Sequence, residues 1–186
     1  MSDFLLVTML VIASAAVINN VVLLQLLGTT SLLTATENPR RSYQHGVHTT
    51  LLLVLTTGTF HLASILLPGF STEALLLPVY LCVLLPFLAM LSRLPGCQNT
   101  DLILLAGNTA ILGPIVITSR ADSGVLHSLF YALGTGLGFL LVLLVFAAMQ
   151  ERVHTAAVPA PFRGAAISLI NAGLMSLGFM GLAGIV

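Results

Sequence analysis

The side chains in this sequence best suited to catalysis or metal binding are five histidines, two cysteines and six carboxylates. Their placement excludes more than it permits. The carboxylates Asp3, Glu37, Glu73, Asp101, Asp122 and Glu151 all fall at the ends of apolar runs or between them. A proton or cation relay across a membrane is built on ionisable residues inside the spans, so no carboxylate relay is expected. His45, His48 and His154 fall in arginine-rich connecting segments and are expected in solvent. His61 and His127 fall within apolar runs, close to their ends, where an interfacial or bundle-bonded role is expected. No histidine pair has metal-ligand spacing with a carboxylate. Cys82 reads as a small apolar residue of a span and Cys97 as a loop thiol. Two such cysteines make no disulfide framework or metal finger. Serine-hydrolase, phosphate-loop and dinucleotide motifs are absent.

What remains is amide and hydroxyl chemistry at two places. The first is Asn19-Asn20 with Gly28-Thr29-Thr30-Ser31, set inside a long apolar run. The second is Gly107-Asn108-Thr109, followed by Gly113-Pro114. An amide in hydrocarbon needs a partner, and polar residues in spans face a bundle interior or a water-filled path. Two readings stand at this point. In one, both segments are broken helices lining an internal site made by Asn19, Asn20, Gly28, Thr29 and Asn108; irregular backbone is tolerated there because protein covers it. In the other, the helices are continuous and the small polar residues only pack against neighbours.

The elements that must hold these residues are membrane spans. Of the 186 residues, 58% are hydrophobic and 6% charged, against about 25% charged in a soluble domain. A span takes about 20 apolar residues. Six runs meet or approach that length: 4–36, 47–71, 74–92, 102–119, 125–149 and 164–186. The first is too long for one straight helix and the fourth is short and interrupted by Gly and Pro. The expected fold is therefore an all-α integral membrane protein of six transmembrane helices, the first and fourth broken. Each break opens a group of three spans, and an odd number of spans reverses the second group. That is the arithmetic of two inverted three-helix repeats, about 1–98 and about 99–186, within a single membrane domain. Arg40, Arg41, Arg93, Arg152 and Arg163 lie in the odd-numbered connections and only Arg120 in an even one. Positive residues mark the cytoplasmic side, so both termini are expected outside and the 37–48 connection inside. The formal net charge is zero, which argues against nucleic acid as a partner and leaves membrane lipid.

The sixth run is rich in small residues, among them Ala166, Gly173, Ser176, Gly178 and Gly181. Close helix packing is the expected use of such a face.

These stretches resemble the RnfA/NqrE family, the membrane subunits of the Rnf ion-translocating electron-transport complex and, more distantly, of the sodium-pumping NADH:quinone oxidoreductase. The match is carried by Val158-Pro-Ala-Pro-Phe-Arg-Gly-Ala-Ala and by Ile170-Asn-Ala-Gly-Leu-Met-Ser-Leu-Gly-Phe-Met-Gly. Asn19-Asn-Val-Val-Leu-Leu-Gln-Leu-Leu-Gly and Asn108-Thr-Ala-Ile-Leu-Gly add to it. The resemblance covers essentially the whole chain and is thin from Glu37 to Asn99. It implies a multi-pass protein of the bacterial inner membrane, with both termini periplasmic. It also implies a homologous, RnfE-like sister chain of opposite orientation, and other subunits carrying flavins and iron–sulfur clusters between ferredoxin and NAD. Each of the two breaks in the family carries a cysteine, and the paired chains hold a [2Fe-2S] cluster.

This sequence departs from the pattern at those cysteines. The family's Leu-Gly-x-Cys-Pro reads Leu27-Gly28-Thr29-Thr30-Ser31, and its Asn-Cys-Ala reads Asn108-Thr109-Ala110. Thr30 and Thr109 thus occupy the cofactor-binding positions without a thiolate, and no cofactor is expected in this chain itself. The expected function is that of a membrane subunit in an Rnf/Nqr-type ion-translocating oxidoreductase, structural or electron-relaying rather than catalytic. A transporter, channel or assembly protein reusing the inverted-repeat scaffold is the alternative.

Overall fold

In the computed structural model, residues 2–18, 20, 27–34, 39–67, 72–93, 99–121, 124–156 and 159–183 are described. All regular structure among them is helical. The order is α1 (Ser2–Ala13) running into a π-helical turn (Ser14–Ile18), α2 (Thr29–Thr34), α3 (Pro39–Leu66), α4 (Thr72–Leu91), α5 (Asn99–Ala106), a 3₁₀ turn (Thr109–Ile111), α6 (Leu112–Arg120), α7 (Val125–Thr155), a 3₁₀ turn (Ala160–Phe162) and α8 (Ala165–Ala183). Three stretches are long and apolar enough to cross a membrane: Pro39–Leu66, Ala74–Leu91 and Val125–Val153. Thr109–Arg120 and Ala165–Gly181 are shorter apolar helices.

The centre of the molecule is the pair α3 and α7. The Thr50 hydroxyl meets the Gly136 carbonyl at 2.9 Å, and His61 meets Ser128 at 2.9 Å. Partner numbers fall as α3 numbers rise, so the two helices run antiparallel. Thr50 also bonds the Gly46 carbonyl one turn back, so its hydroxyl is held between the two backbones. The opposite side of α7 receives α1 and its π-turn. A Cβ on Gly134 would lie 2.7 Å from the Ile12 carbonyl oxygen, and one on Gly138 would lie 2.5 Å from that of Ala16. This four-residue spacing of glycines is what lets two backbones touch, the usual device where apolar solvent supplies no hydrophobic drive.

Two apolar clusters flank the pair. Leu52 of α3 joins Tyr80, Leu84, Phe87 and Leu91 of α4 with Leu105 and Ile111. Phe139, Leu143 and Phe146 of α7 join Leu32, Ala110 and Met175. The second cluster draws α2, the 3₁₀ turn and α8 together on α7, beside the two polar segments. The outward faces of α4 and α8 stay apolar, as Leu81, Leu85, Leu174 and Leu177 show, which suits lipid or another protein chain.

One expectation is corrected here. From Pro39 onward the expected connection is helical: helix α3 begins at Pro39 and carries Arg40, Arg41, His45 and His48 within it. Proline is favoured in the first helical turn because its missing N–H would be unsatisfied there anyway. His45 is consequently not solvated but 2% exposed, with its ring 6.3 Å from that of Phe139.

Candidate functional site: two chain breaks in contact

The break in the second half is fully described. Helix α5 ends at Ala106, Gly107 turns, and Asn108 takes an extended conformation before the 3₁₀ turn begins. A break frees backbone groups, and each needs a partner when water is excluded. The Tyr80 hydroxyl donates to the Ala106 carbonyl at 2.9 Å. Asn108 Oδ1 accepts the Ala110 N–H at 3.1 Å, while Asn108 Nδ2 donates to Thr49 Oγ1 on α3 at 3.3 Å. Asn108 is 1% exposed. It acts as the cap of the turn and as the tie to the central helix.

The break in the first half comes against it. Gly28 has φ +77°, a conformation that an L side chain resists. Its backbone N–H donates to Thr109 Oγ1 at 3.1 Å. Helix α2 starts on the next residue, with a backbone bond running from Leu32 N–H to the Gly28 carbonyl at 3.2 Å. A Cβ at position 28 would stand 2.9 Å from both Asn108 Oδ1 and the Phe139 ring. Glycine is therefore required twice at this point, for the backbone angle and for the space.

The other residues singled out by sequence are distributed around this contact. Asn20 is buried and donates from Nδ2 to the Ala16 carbonyl at 2.8 Å, tying the non-helical residue to the π-turn. Thr29 is half-buried. Thr30 and Thr109 are both exposed on the surface of the chain, although Thr109 bonds Gly28. Asn19 and Cys97 lie outside the described residues, and Cys82 is an exposed thiol on α4. Among the described residues, no three His, Cys, Asp or Glu side chains gather at one point.

Thr49, Tyr80 and Ser128 escaped the sequence reading. Thr49, the partner of Asn108, is one of several buried polar residues on α3, with Ser42, Thr56, Thr57 and His61. Their helical spacing was the available signal that one face of α3 turns inward. Ser128, bonded to His61, carried no local signal, because only the antiparallel pairing of two distant helices reveals it.

Similarity to known proteins runs along nearly the whole chain. The family profile described as "Rnf-Nqr subunit, membrane protein" matches residues 8–186. A protein of Thioalkalivibrio sulfidiphilus, described as the A-type subunit of an ion-translocating oxidoreductase complex, is 35% identical over 186 residues, covering 95% of this chain and 97% of that protein. The protein of the same description from Actinobacillus pleuropneumoniae is 34% identical, covering 95% of this chain and 96% of its own. That from Cereibacter sphaeroides is 34% identical, covering 100% and 98%.

Proposed function

The chain belongs to the Rnf-Nqr family of membrane subunits, and from that membership we propose that it is the A-type membrane subunit of a bacterial ion-translocating oxidoreductase complex. The observation that carries this reading is similarity along essentially the whole length to proteins so described, with identity of 34–35%. In this reading the six apolar runs form two inverted triplets in the inner membrane, with both termini periplasmic. The contact between Gly28 and Thr109 is then the seam between the two halves. Its exposed threonines face a homologous sister chain.

The role of this chain within the complex is structural. Thr30 and Thr109 stand where the family's cluster cysteines would be, and they do not fit a [2Fe-2S] cluster. A threonine hydroxyl does not ionise near neutral pH, whereas such clusters are held chiefly by thiolates. Thr109 Oγ1 is moreover already the acceptor for a backbone N–H. No electron step is routed through these residues. Flavins and iron–sulfur clusters belong to partner subunits, and this chain seals the bundle and supports its sister.

Purification through a tag on this chain, with mass spectrometry of what accompanies it, tests the reading. Flavin- and iron–sulfur-bearing oxidoreductase subunits and a second Rnf-Nqr membrane chain are the expected companions. Recovery of this chain alone from gently solubilised membranes would overturn it in favour of an independent transporter or channel.

A further inference from the structure

Helix α4 contains two internal prolines, Pro78 and Pro86. A proline has no N–H, and its ring presses on the carbonyl four residues earlier. Pro78 therefore deprives the Ala74 carbonyl of its helical donor, and Pro86 does the same to Cys82. Residues four apart stand one above another on a helix, so Ala74, Pro78, Cys82 and Pro86 form one row. All four are exposed. The inward side of α4 is a different one, where Leu75, Tyr80, Leu84 and Phe87 enter the apolar clusters. Both freed carbonyls thus belong to the outward side.

The two are not equivalent. Ala74 begins the apolar span Ala74–Leu91, at the edge of the membrane. Cys82 lies midway between those residues, about 12–14 Å from either end at about 1.5 Å per residue. That is the middle of a hydrocarbon layer about 30 Å thick. Breaks elsewhere are closed from within the chain, as Tyr80 closes on the Ala106 carbonyl at 2.9 Å. Among the described residues, no side-chain hydroxyl or amide bonds the Cys82 carbonyl. An acyl chain offers no donor, and an unmatched backbone group in hydrocarbon is costly. The outward side of α4 offers little either: Leu77, Leu81, Leu85 and Ala89 are apolar, and the Cys82 thiol is a weak donor. A second copy of α4 laid against this side would leave the carbonyl poorly matched.

We infer that the outward side of α4 around Cys82 and Pro86 is an interface for a membrane-spanning helix of a different chain. That helix presents a hydroxyl, amide or indole donor at mid-membrane depth to the Cys82 carbonyl. Leu81 and Leu85, 47% and 63% exposed, supply the apolar contact on which it rests. Interhelical hydrogen bonds and close packing are the forces that join helices in lipid. The inference relies on the proposed place in a multi-subunit complex for the existence of such a neighbour, and it names the side of this chain that meets it and the chemistry of the contact.

The test is photo-cross-linking in intact membranes from p-benzoylphenylalanine placed at Leu85, followed by mass spectrometry of the adduct. The expected adduct joins α4 to a spanning helix of another subunit, within one turn of a Ser, Thr, Asn, Gln, Tyr or Trp. Removing that donor is expected to lower the yield of intact complex about two- to tenfold, as one hydrogen bond would. In Pro86→Ala, which restores the helical N–H to the Cys82 carbonyl, the same removal is expected to have little effect. An adduct between two copies of this chain, no protein adduct, an adduct helix without a donor, or a donor whose loss changes nothing overturns the inference. If Pro86→Ala does not assemble, the adduct and the donor substitution beside the native proline decide the matter. An oxidoreductase complex recovered intact but without the adduct would overturn this interface alone. An adduct to a membrane protein outside any oxidoreductase, with the donor effect, would sustain the interface and overturn the proposed function.

Discussion

Gly28 donates its backbone N–H to the hydroxyl of Thr109 across 3.1 Å, and 81 positions of sequence separate the two. One hydrogen bond thus closes two chain breaks on each other, through a side chain that the proposed function sets at a cluster-cysteine position. Threonine here satisfies a backbone donor that would otherwise be left in an apolar setting.

Removal of that acceptor is expected to be costly in proportion. Thr109→Val keeps the shape and leaves the Gly28 N–H without its partner, a loss of about 1–3 kcal/mol. Thr109→Ser keeps the hydroxyl and is expected to stay near the wild type. Thermal unfolding of the purified chain in detergent measures both. Equal melting temperatures for Val and wild type would show that the bond does not hold the breaks together.

Gly28→Ala is expected to be worse than any other single-methyl addition in the chain's broken segments. The Cβ meets Asn108 Oδ1 and Phe139 at 2.9 Å, and the backbone angle of +77° adds strain on the order of 1–2 kcal/mol for a non-glycine residue. Together these predict a loss of about 2–4 kcal/mol. Folded yield and melting temperature provide the measurement, and a wild-type value for both would contradict the geometry.

Much of this site was legible in the sequence, for a physical reason. Gly28 and Asn108 stood out because amides and glycines inside apolar runs must be explained by a break or a buried partner. The partners themselves were not legible. Thr49 and Tyr80 reach the second break from other helices, and nothing local marks such long-range pairs. The start of α3 was missed because Pro39-Arg40-Arg41 reads as a polar connection, yet a proline followed by two arginines is compatible with a helix start. His45 was misplaced with it.

Topology is testable at the two ends of α3. Ser42 is wholly buried, whereas Tyr43 is 54% exposed, so a cysteine at 43 reports access and one at 42 does not. In sealed cells, with Cys82 and Cys97 changed to serine, a membrane-impermeant maleimide is expected to miss Tyr43→Cys and to label Leu67→Cys, which is exposed at the other end of α3. The reverse pattern would invert the assigned orientation.

The small residues of α8 separate folding from assembly. A Cβ at Gly178 meets nothing within 4 Å among the described residues, so Gly178→Leu is expected to leave the isolated chain's melting temperature unchanged. It is expected to reduce the yield of intact complex, because a larger side chain forces an apposed helix away. Unchanged complex yield would place that face against lipid instead.

The most direct measurement of the central claim is iron in the assembled complex. Electron paramagnetic resonance after reduction, with iron and sulfide analysis, is to be made on the complex and on a version in which the proposed sister membrane chain has every cysteine replaced. The expected result is no [2Fe-2S] signal attributable to ligands from this chain, and no change in iron content with Thr30→Ala or Thr109→Ala. A [2Fe-2S] signal that survives loss of the sister chain's cysteines and vanishes with either threonine would contradict it.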